Sequence, residues 1–432
     1  MKVAFYIPNK SIKDVNLEHI DLGNPGIGGT EYAMLALAFY LGKMSKYDIT
    51  LYVSNKLNNY PLNCNVHFVN NLKEVLSQSL ANQIRILVVH HSEETMGKNA
   101  FQALGKSNIS IVLWIHNFLK TKYLTYYNSI DAIKRIVFVG KEFYSLYIDH
   151  EAYSKSLYIY NGVSVIEKES ISYNSRPNNV TYIGNLIPGK GFHLLAKAWK
   201  KVIQEVPDAK LHVIGSGKLY NRNACLGKYG LAEYRYERKF MKYLVDKDGK
   251  PLKSVIFHGI LGNEKDEVLD VTKVGIPNPT GFSETFGYTA VEMQMRGCLI
   301  STKKCPGYLD TVFSNGLLYS NNGQLAHCIV ELLKRQSNSY SSMLEFVKKN
   351  FEFSKVAIRW ENMFDDIVQG KKIIPINVEN CTSKGIKIRI FLHKLKIKYP
   401  CLKILPTYYY VYSIIVSLFS IATYKQLIRK LL

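Results

Sequence analysis

Residues 180–217 read VTYIGNLIPGKGFHLLAKAWKKVIQEVPDAKLHVIGSG, and their order points to the fold class. A β-rich apolar run, VTYI, ends at Gly184, and a tight PGKG turn follows. Leu195, Trp199, Val202 and Val206 then recur at i, i+4, i+7 and i+11, which puts them on one face of a helix. Pro207 stops that helix, and KLHVI supplies a second strand. A strand, a crossing helix and another strand in this succession predict a parallel pair, because parallel strands need such a crossover.

The alternation runs outward from this unit. Toward the N-terminus the runs KVAFYI, ITLYV, IRILVV, SIVLWI, RIVFV and LYIY are separated by helical stretches, as in a parallel sheet covered on both faces. At 432 residues the chain is too long for one core, since domains split beyond about 250–300 residues. The reading is an α/β protein with two Rossmann-like domains facing a central cleft. They span residues 1–163 and 180–352, joined by a polar linker over 164–179 that holds Pro177. Helices are expected at about 263–272, 286–296 and 323–335. A further helix, 353–370, carries Val356, Trp360, Met363, Phe364 and Ile367 and is expected to close back on the N-terminal domain. Residues 218–253, rich in Lys, Arg and Tyr, interrupt the alternation as an insertion.

Hydrophobic residues make up 47% and charged residues 21%, enough apolar material for two packed cores. Lys and Arg number 56 against 34 Asp and Glu, and the formal charge of +22 favours an anionic partner. Much of the excess belongs to the tail: no acidic side chain follows Glu379, while ten basic ones lie between Lys384 and Lys430. That separation argues against a nucleic-acid-binding protein, a reading favoured by net charge alone. The seven scattered cysteines form no CxxC pair, which fits a reducing cytosol better than a disulfide framework or a zinc site. MKVAFYIPNK reads as a first buried strand and not as a signal peptide. There is no HExxH and no Cys/His spacing, so no metal and no resident cofactor are expected.

The strongest chemical signal is GFSETFGYTAVEMQMRG, residues 281–297, which sets Glu284 and Glu292 around a helix start near Phe286. If both were helical they would lie about 12 Å apart along the axis and roughly 80° around it. Carboxylates sharing one glycosidic bond lie about 5–9.5 Å apart, so this pair would address different parts of an extended ligand. Between them a helix N-terminus suits a diphosphate. Lys190, between two glycines of the PGKG turn, can present a cation there. The loop Gly26-Ile27-Gly28-Gly29-Thr30 after the first strand lets the backbone approach a ligand, or serves only as a helix start capped by Thr30. His116 ends the strand IVLWI, and carboxyl ends of strands face the crevice of open α/β sheets. His90 and His91 end IRILVV in the same way, as candidates on the acceptor side.

Taken together, GNPGIGGTEYAML, YNGV, the strand-PGKG-helix unit, the E-x7-E motif and FEFSKVAIRWENMF resemble the family four retaining glycosyltransferases of the GT-B fold. The similarity spans most of residues 1–370. It implies a metal-independent, retaining transfer of a hexose from a nucleotide-diphosphate sugar, the co-substrate, to a saccharide acceptor. It implies a catalytic set of Glu284, His116 and Lys190. It implies donor contacts by Gly28, Gly29, Asn185, Lys190, Gly217, Glu284, Phe286, Gly287 and Glu292, with Glu284 on the sugar hydroxyls, Glu292 on the ribose and Lys190 on the diphosphate. One departure stands out: the family usually has an arginine where this chain has Asn185, and an amide cannot replace a bidentate guanidinium. Arg296, Lys303 and Lys304 are candidates to compensate. A nucleotide-sugar epimerase of the same architecture is the alternative.

Residues 384–403, KGIKIRIFLHKLKIKYPCLK, interleave apolar and basic side chains, as in a segment lying on anionic lipid. Ile404 to Tyr424 is free of charge but holds Pro406 and five tyrosines, a poor spanning helix. The expectation for 384–432 is a membrane-associating tail, with packing on the protein body as the alternative. A cytoplasmic enzyme, peripheral on the inner face of the cell membrane and acting on a lipid-linked saccharide in bacterial surface-polysaccharide synthesis, would need such a tail.

Overall fold

The computed structural model describes residues 1–9, 12, 15–61, 63–97, 99–101, 107–166, 172–218, 224–374, 376–416 and 418. Two all-parallel sheets form the frame. The first contains β1 (Lys2–Ile7), β2 (Asp48–Val53), β3 (Asn65–Phe68), β4 (Ile86–His90), β5 (Ser110–Ile115), β6 (Ile133–Phe138) and β7 (Ser156–Tyr158), in the order β3-β2-β1-β4-β5-β6-β7. The second contains β8 (Asn179–Ile183), β9 (Lys210–Ile214), β10 (Val255–Gly259), β11 (Val274–Ile276), β12 (Leu299–Lys303) and β13 (Leu317–Tyr319), in the order β10-β9-β8-β11-β12-β13. In each sheet the strand order reverses once, between β1 and β4 and between β8 and β11, and crevices for ligands open at such points.

Val3 pairs with Ile49 on one side and Ile86 on the other, so β1 is flanked by apolar strands and buried on both faces. The expected helices appear at Lys265–Asp270, Tyr288–Met295, Leu325–Lys334 and Phe353–Val368. Within the insertion, the helix Tyr234–Met241 buries Tyr236, Phe240 and Met241 in the second core, with Phe240 edge-on to Phe192; residues 219–223 lie outside the described residues.

The chain passes between the domains at two adjacent points. The Val163 N–H donates to Phe351 O at 2.7 Å and the Phe353 N–H returns to Val163 O at 3.1 Å. Gly162 makes this approach possible, because a Cβ there would lie 2.1 Å from the Phe353 ring. The far part of the expected linker packs on the second domain. Tyr173 donates its hydroxyl to Leu332 O at 2.6 Å, and the buried Arg176 guanidinium spends its donors on the carbonyls of Thr272 (2.7 Å) and Arg296 (2.6 Å). After Phe353 the closing helix inserts Val356, Trp360 and Phe364 into the core of the first domain, where Trp360 lies 4.5 Å from Trp114 between ring centroids.

The tail folds as a helix, Ile386–Lys398, laid on residues 142–149 of the first domain. Two basic side chains expected to face lipid turn inward. Arg389 donates to Ser145 O at 2.8 Å and to Ser383 Oγ at 2.6 Å, and Lys396 donates to Asp149 O at 3.0 Å and Leu405 O at 2.9 Å. The physical reason is that the carbonyls left free where the helix Lys141–Ser145 ends need donors, and a long cationic side chain supplies several. On the outer side Ile388, Phe391, Ile397 and Ile404 are exposed. Among the described residues no helix is long and apolar enough to cross a membrane; residues 417 and 419–432 lie outside that description.

Candidate active site

The loop that follows β1, residues 24–30, and the carboxyl end of β5 face the carboxyl ends of β8 and β9 across a cavity of about 300 Å³. Gly29, Thr30, His116 and Asn161 line it from the first domain, and Asn185, Lys190, Lys265, Glu284 and Glu292 from the second. The two walls touch. Thr285 donates its hydroxyl to His116 O, and Tyr32 meets Tyr288 edge-on at 5.5 Å. Asp310 of the second domain accepts the Glu142 N–H at 2.8 Å and the Tyr160 hydroxyl at 3.1 Å from the first.

Glu284 lies just before the helix Tyr288–Met295, held by an Asn278 amide at 3.0 Å and ion-paired with Lys190. Its position comes from an unusual backbone. Ser283 has φ 60, a left-handed value that costs a non-glycine residue energy, and Gly287 has φ 84 where a Cβ would meet Tyr308 at 2.6 Å. Phe286, Gly287, Tyr288 and Thr289 all line the cavity, so the first turn of this helix forms its wall. Glu292 sits one turn further on. Burial raises its pKa, the Lys265 ammonium 3.9 Å away opposes that rise, and Asp266 adds to it.

Lys190 ends a short turn, Pro188–Lys190, fixed by its carbonyl to the Tyr182 hydroxyl at 3.0 Å. Gly191 then takes φ 71 hard against Thr280, whose methyl would be 2.5 Å from a Cβ. His116 is buried beside Trp114, and burial holds its pKa well below the usual histidine value, so the ring is neutral near pH 7. Its Nε2 has no hydrogen-bond partner among the described residues. Thr30 and Asn117 line this cavity and also a second one shared with His90 and His91, so the two adjoin. Burial lowers the pKa of both histidines to about 4, and His91 Nδ1 is 2.7 Å from the Tyr127 hydroxyl.

Of the residues singled out from the sequence, Gly29, His116, Asn185, Lys190, Glu284, Phe286, Gly287 and Glu292 meet at this cavity. Gly28 and Gly217 are not among its lining. Gly28 caps the helix Gly29–Met44 beneath the Glu31 carboxylate, and Gly217 packs on Ala232 with its N–H on Leu231 O at 2.8 Å. Gly215 forms the wall instead, since a Cβ there would lie 1.9 Å from Gly184 O. Asn185 is buried with neither amide atom hydrogen-bonded among the described residues. None of the cations suggested to compensate for it lines the cavity: Arg296 is bound to Asp266 and to Asp270 (3.6 Å), and Lys303 and Lys304 lie elsewhere. The second cation is Lys265, which sits in the mixed-charge run NEKDEV and shows no signal in the sequence that sets it apart. Asn278 and Asn161 were also missed, although Asn161 lies in the YNGV segment. Among the described residues no group of three or more His, Cys, Asp or Glu could hold a metal ion.

Residues 177–335 match the family model described as Glycosyl transferases group 1. The matched stretch covers most of the second domain. No curated protein matches the chain. Solved structures match its fold over both domains. Sucrose-phosphate synthase from Thermosynechococcus elongatus superposes with a TM-score of 0.64 at 12% identity, over 86% of this chain and 100% of that one. HepE from Anabaena, solved in complex with UDP and glucose, gives 0.60 at 14% identity over 85% and 100%. The lipopolysaccharide outer core galactosyltransferase WaaB gives 0.54 at 13% over 86% and 99%. The two domains thus take the GT-B arrangement of two Rossmann-like units.

Proposed function

We propose that this chain is a retaining, metal-independent glycosyltransferase that moves a hexose from a nucleotide-diphosphate sugar to a lipid-linked saccharide in surface-polysaccharide synthesis. One observation carries the reading: two carboxylates and two lysines meet in a single interdomain cavity whose wall is the first turn of a helix. In this reading Glu292 holds the ribose, Lys190 and the helix N–H groups hold the diphosphate, and Glu284 holds hydroxyls of the sugar. Lys190 leaves Glu284 for the phosphate when the donor enters. The acceptor oxygen attacks the anomeric carbon while the bond from that carbon to the diphosphate breaks. Lys190 and the helix dipole stabilise the charge that develops on the leaving diphosphate, which takes up the acceptor proton from the same face. Neutral His116 is placed to hydrogen-bond the sugar near that centre.

The acceptor end of the proposal rests on the tail. Exposed Ile388, Phe391 and Ile397, with Lys387, Lys394 and Lys398 on the same helix, suit an anionic bilayer on the cytoplasmic side, and there a lipid-linked acceptor would be met. The likeness to an enzyme of the lipopolysaccharide outer core is in keeping with that acceptor class. The test is nucleotide release by the full chain from UDP-, GDP- and ADP-hexoses with lipid-linked saccharides. Release that requires the acceptor is expected. Release from no donor would sink the reading, and donor turnover without acceptor would replace it with epimerase chemistry.

A further inference from the structure

Lys265 begins the helix Lys265–Asp270 on the wall of the interdomain cavity, and its side chain is only 10% exposed. An ammonium carries three N–H donors and no acceptor. Here, among the described residues, its charged neighbour is Glu292 at 3.9 Å, close enough to attract and too far to hydrogen-bond. Asp266, the next residue, is taken by Arg296 and does not neutralise it. An ammonium on the cavity wall with unused donors offers them to whatever third group enters the cavity.

The chemistry of that third group follows from the pair. An ionised Glu292 can only accept and Lys265 can only donate, while a hydroxyl does both. A hydroxyl lying between them gives its proton to the carboxylate and receives an ammonium N–H on its lone pair. Two adjacent hydroxyls on a furanose present this pattern twice. We propose that Lys265 is a donor-binding residue that, with Glu292, clamps the 2′,3′-diol of a ribonucleoside diphosphate and selects ribo- over 2′-deoxyribonucleotides. This rests on the assignment of Glu292 to the ribose.

Titration calorimetry of the full chain with UDP, ADP, GDP and dTDP identifies the preferred nucleotide, and its 2′-deoxy form is then compared. Wild type prefers the ribonucleotide by about tenfold or more, the range of a hydrogen bond to a charged group. Lys265→Met lowers ribonucleotide affinity by about that factor and leaves the 2′-deoxy form within about threefold of wild type, so the preference collapses. Lys265→Arg keeps it. Binding of the deoxynucleotide doubles as a check that the variant is folded; should the methionine variant lack a melting transition, Lys265→Gln takes its place with the same criteria. Equal losses for both nucleotides, an unchanged preference, or a wild-type preference for dTDP overturns the inference while leaving the transferase reading intact. Binding of none of the four overturns both.

Discussion

Glu284 and Glu292 differ in surroundings as much as in position. Glu284 shares an ion pair with Lys190 and an amide from Asn278, so its charge is compensated, whereas Glu292 is buried with one cation at 3.9 Å. Glu284→Gln is therefore expected to abolish transfer with little change in melting temperature. Glu292→Gln should chiefly weaken donor binding, by about 10- to 100-fold in KM for the donor. Equal, mild losses in steady-state kinetics would contradict these roles. Gly287→Ala tests the backbone: a methyl at φ 84, 2.6 Å from Tyr308, should lower stability by about 1–3 kcal/mol in denaturant unfolding. At this scale the carboxylates and Lys190 were legible because motif and turn chemistry single them out. Lys265 was not, since an amphipathic lysine among alternating charges looks the same whether it faces solvent or a cavity. The strand-end GSG leaves open which of its glycines, Gly215 or Gly217, lines the cavity.

The closing helix is part of the core of the first domain. Trp360 is fully buried between Phe5 and Trp114, and Trp360→Ala should cost about 3–5 kcal/mol, read as a fall in the midpoint of denaturant unfolding. A small cost would mean that the helix is a mere appendage. The tail helix makes a separate prediction. Replacing Lys387, Lys394 and Lys398 by Gln should reduce binding to vesicles containing anionic lipid by on the order of 1 kcal/mol per charge, with no loss of fold, because these side chains are not the ones anchored to the domain. Sedimentation with such vesicles at low salt reads this directly. Long, strongly periodic elements were legible in the sequence. The three-residue strands β11 and β13 and the half-exposed edge strand β3 were not, because so few residues carry no period. Which cations of the tail turn inward, Arg389 and Lys396, was not legible, since pattern alone does not reveal which of them meet carbonyls.

At the scale of the whole molecule, Asp310 accepts two of the polar contacts between the domains, from the Glu142 N–H and the Tyr160 hydroxyl. Burial raises its pKa to about 7, Glu142 adds to the rise, and the Glu142 N–H, the Tyr160 hydroxyl and Lys141 oppose it. Between about pH 4 and pH 7 the folded protein holds a proton on Asp310 that the unfolded chain has lost. Folding takes up that proton, so this residue's contribution to stability falls as pH rises through the window, on the order of 1 kcal/mol per pH unit. Asp310→Asn should flatten that slope when melting temperature is followed against pH. An identical slope in wild type and variant would show that Asp310 titrates as an exposed carboxylate. The two-domain plan itself was legible, because βα alternation runs on both sides of the polar 164–179 stretch, and each half can bury its apolar strands only by sheet formation.

The paired hydrogen bonds at Val163 bring outgoing and returning chain to one spot beside Gly162 and Phe353. With both tethers clamped together, relative displacement of the two domains is smallest at that spot. Any opening of the groove is then widest at the lips farthest from it.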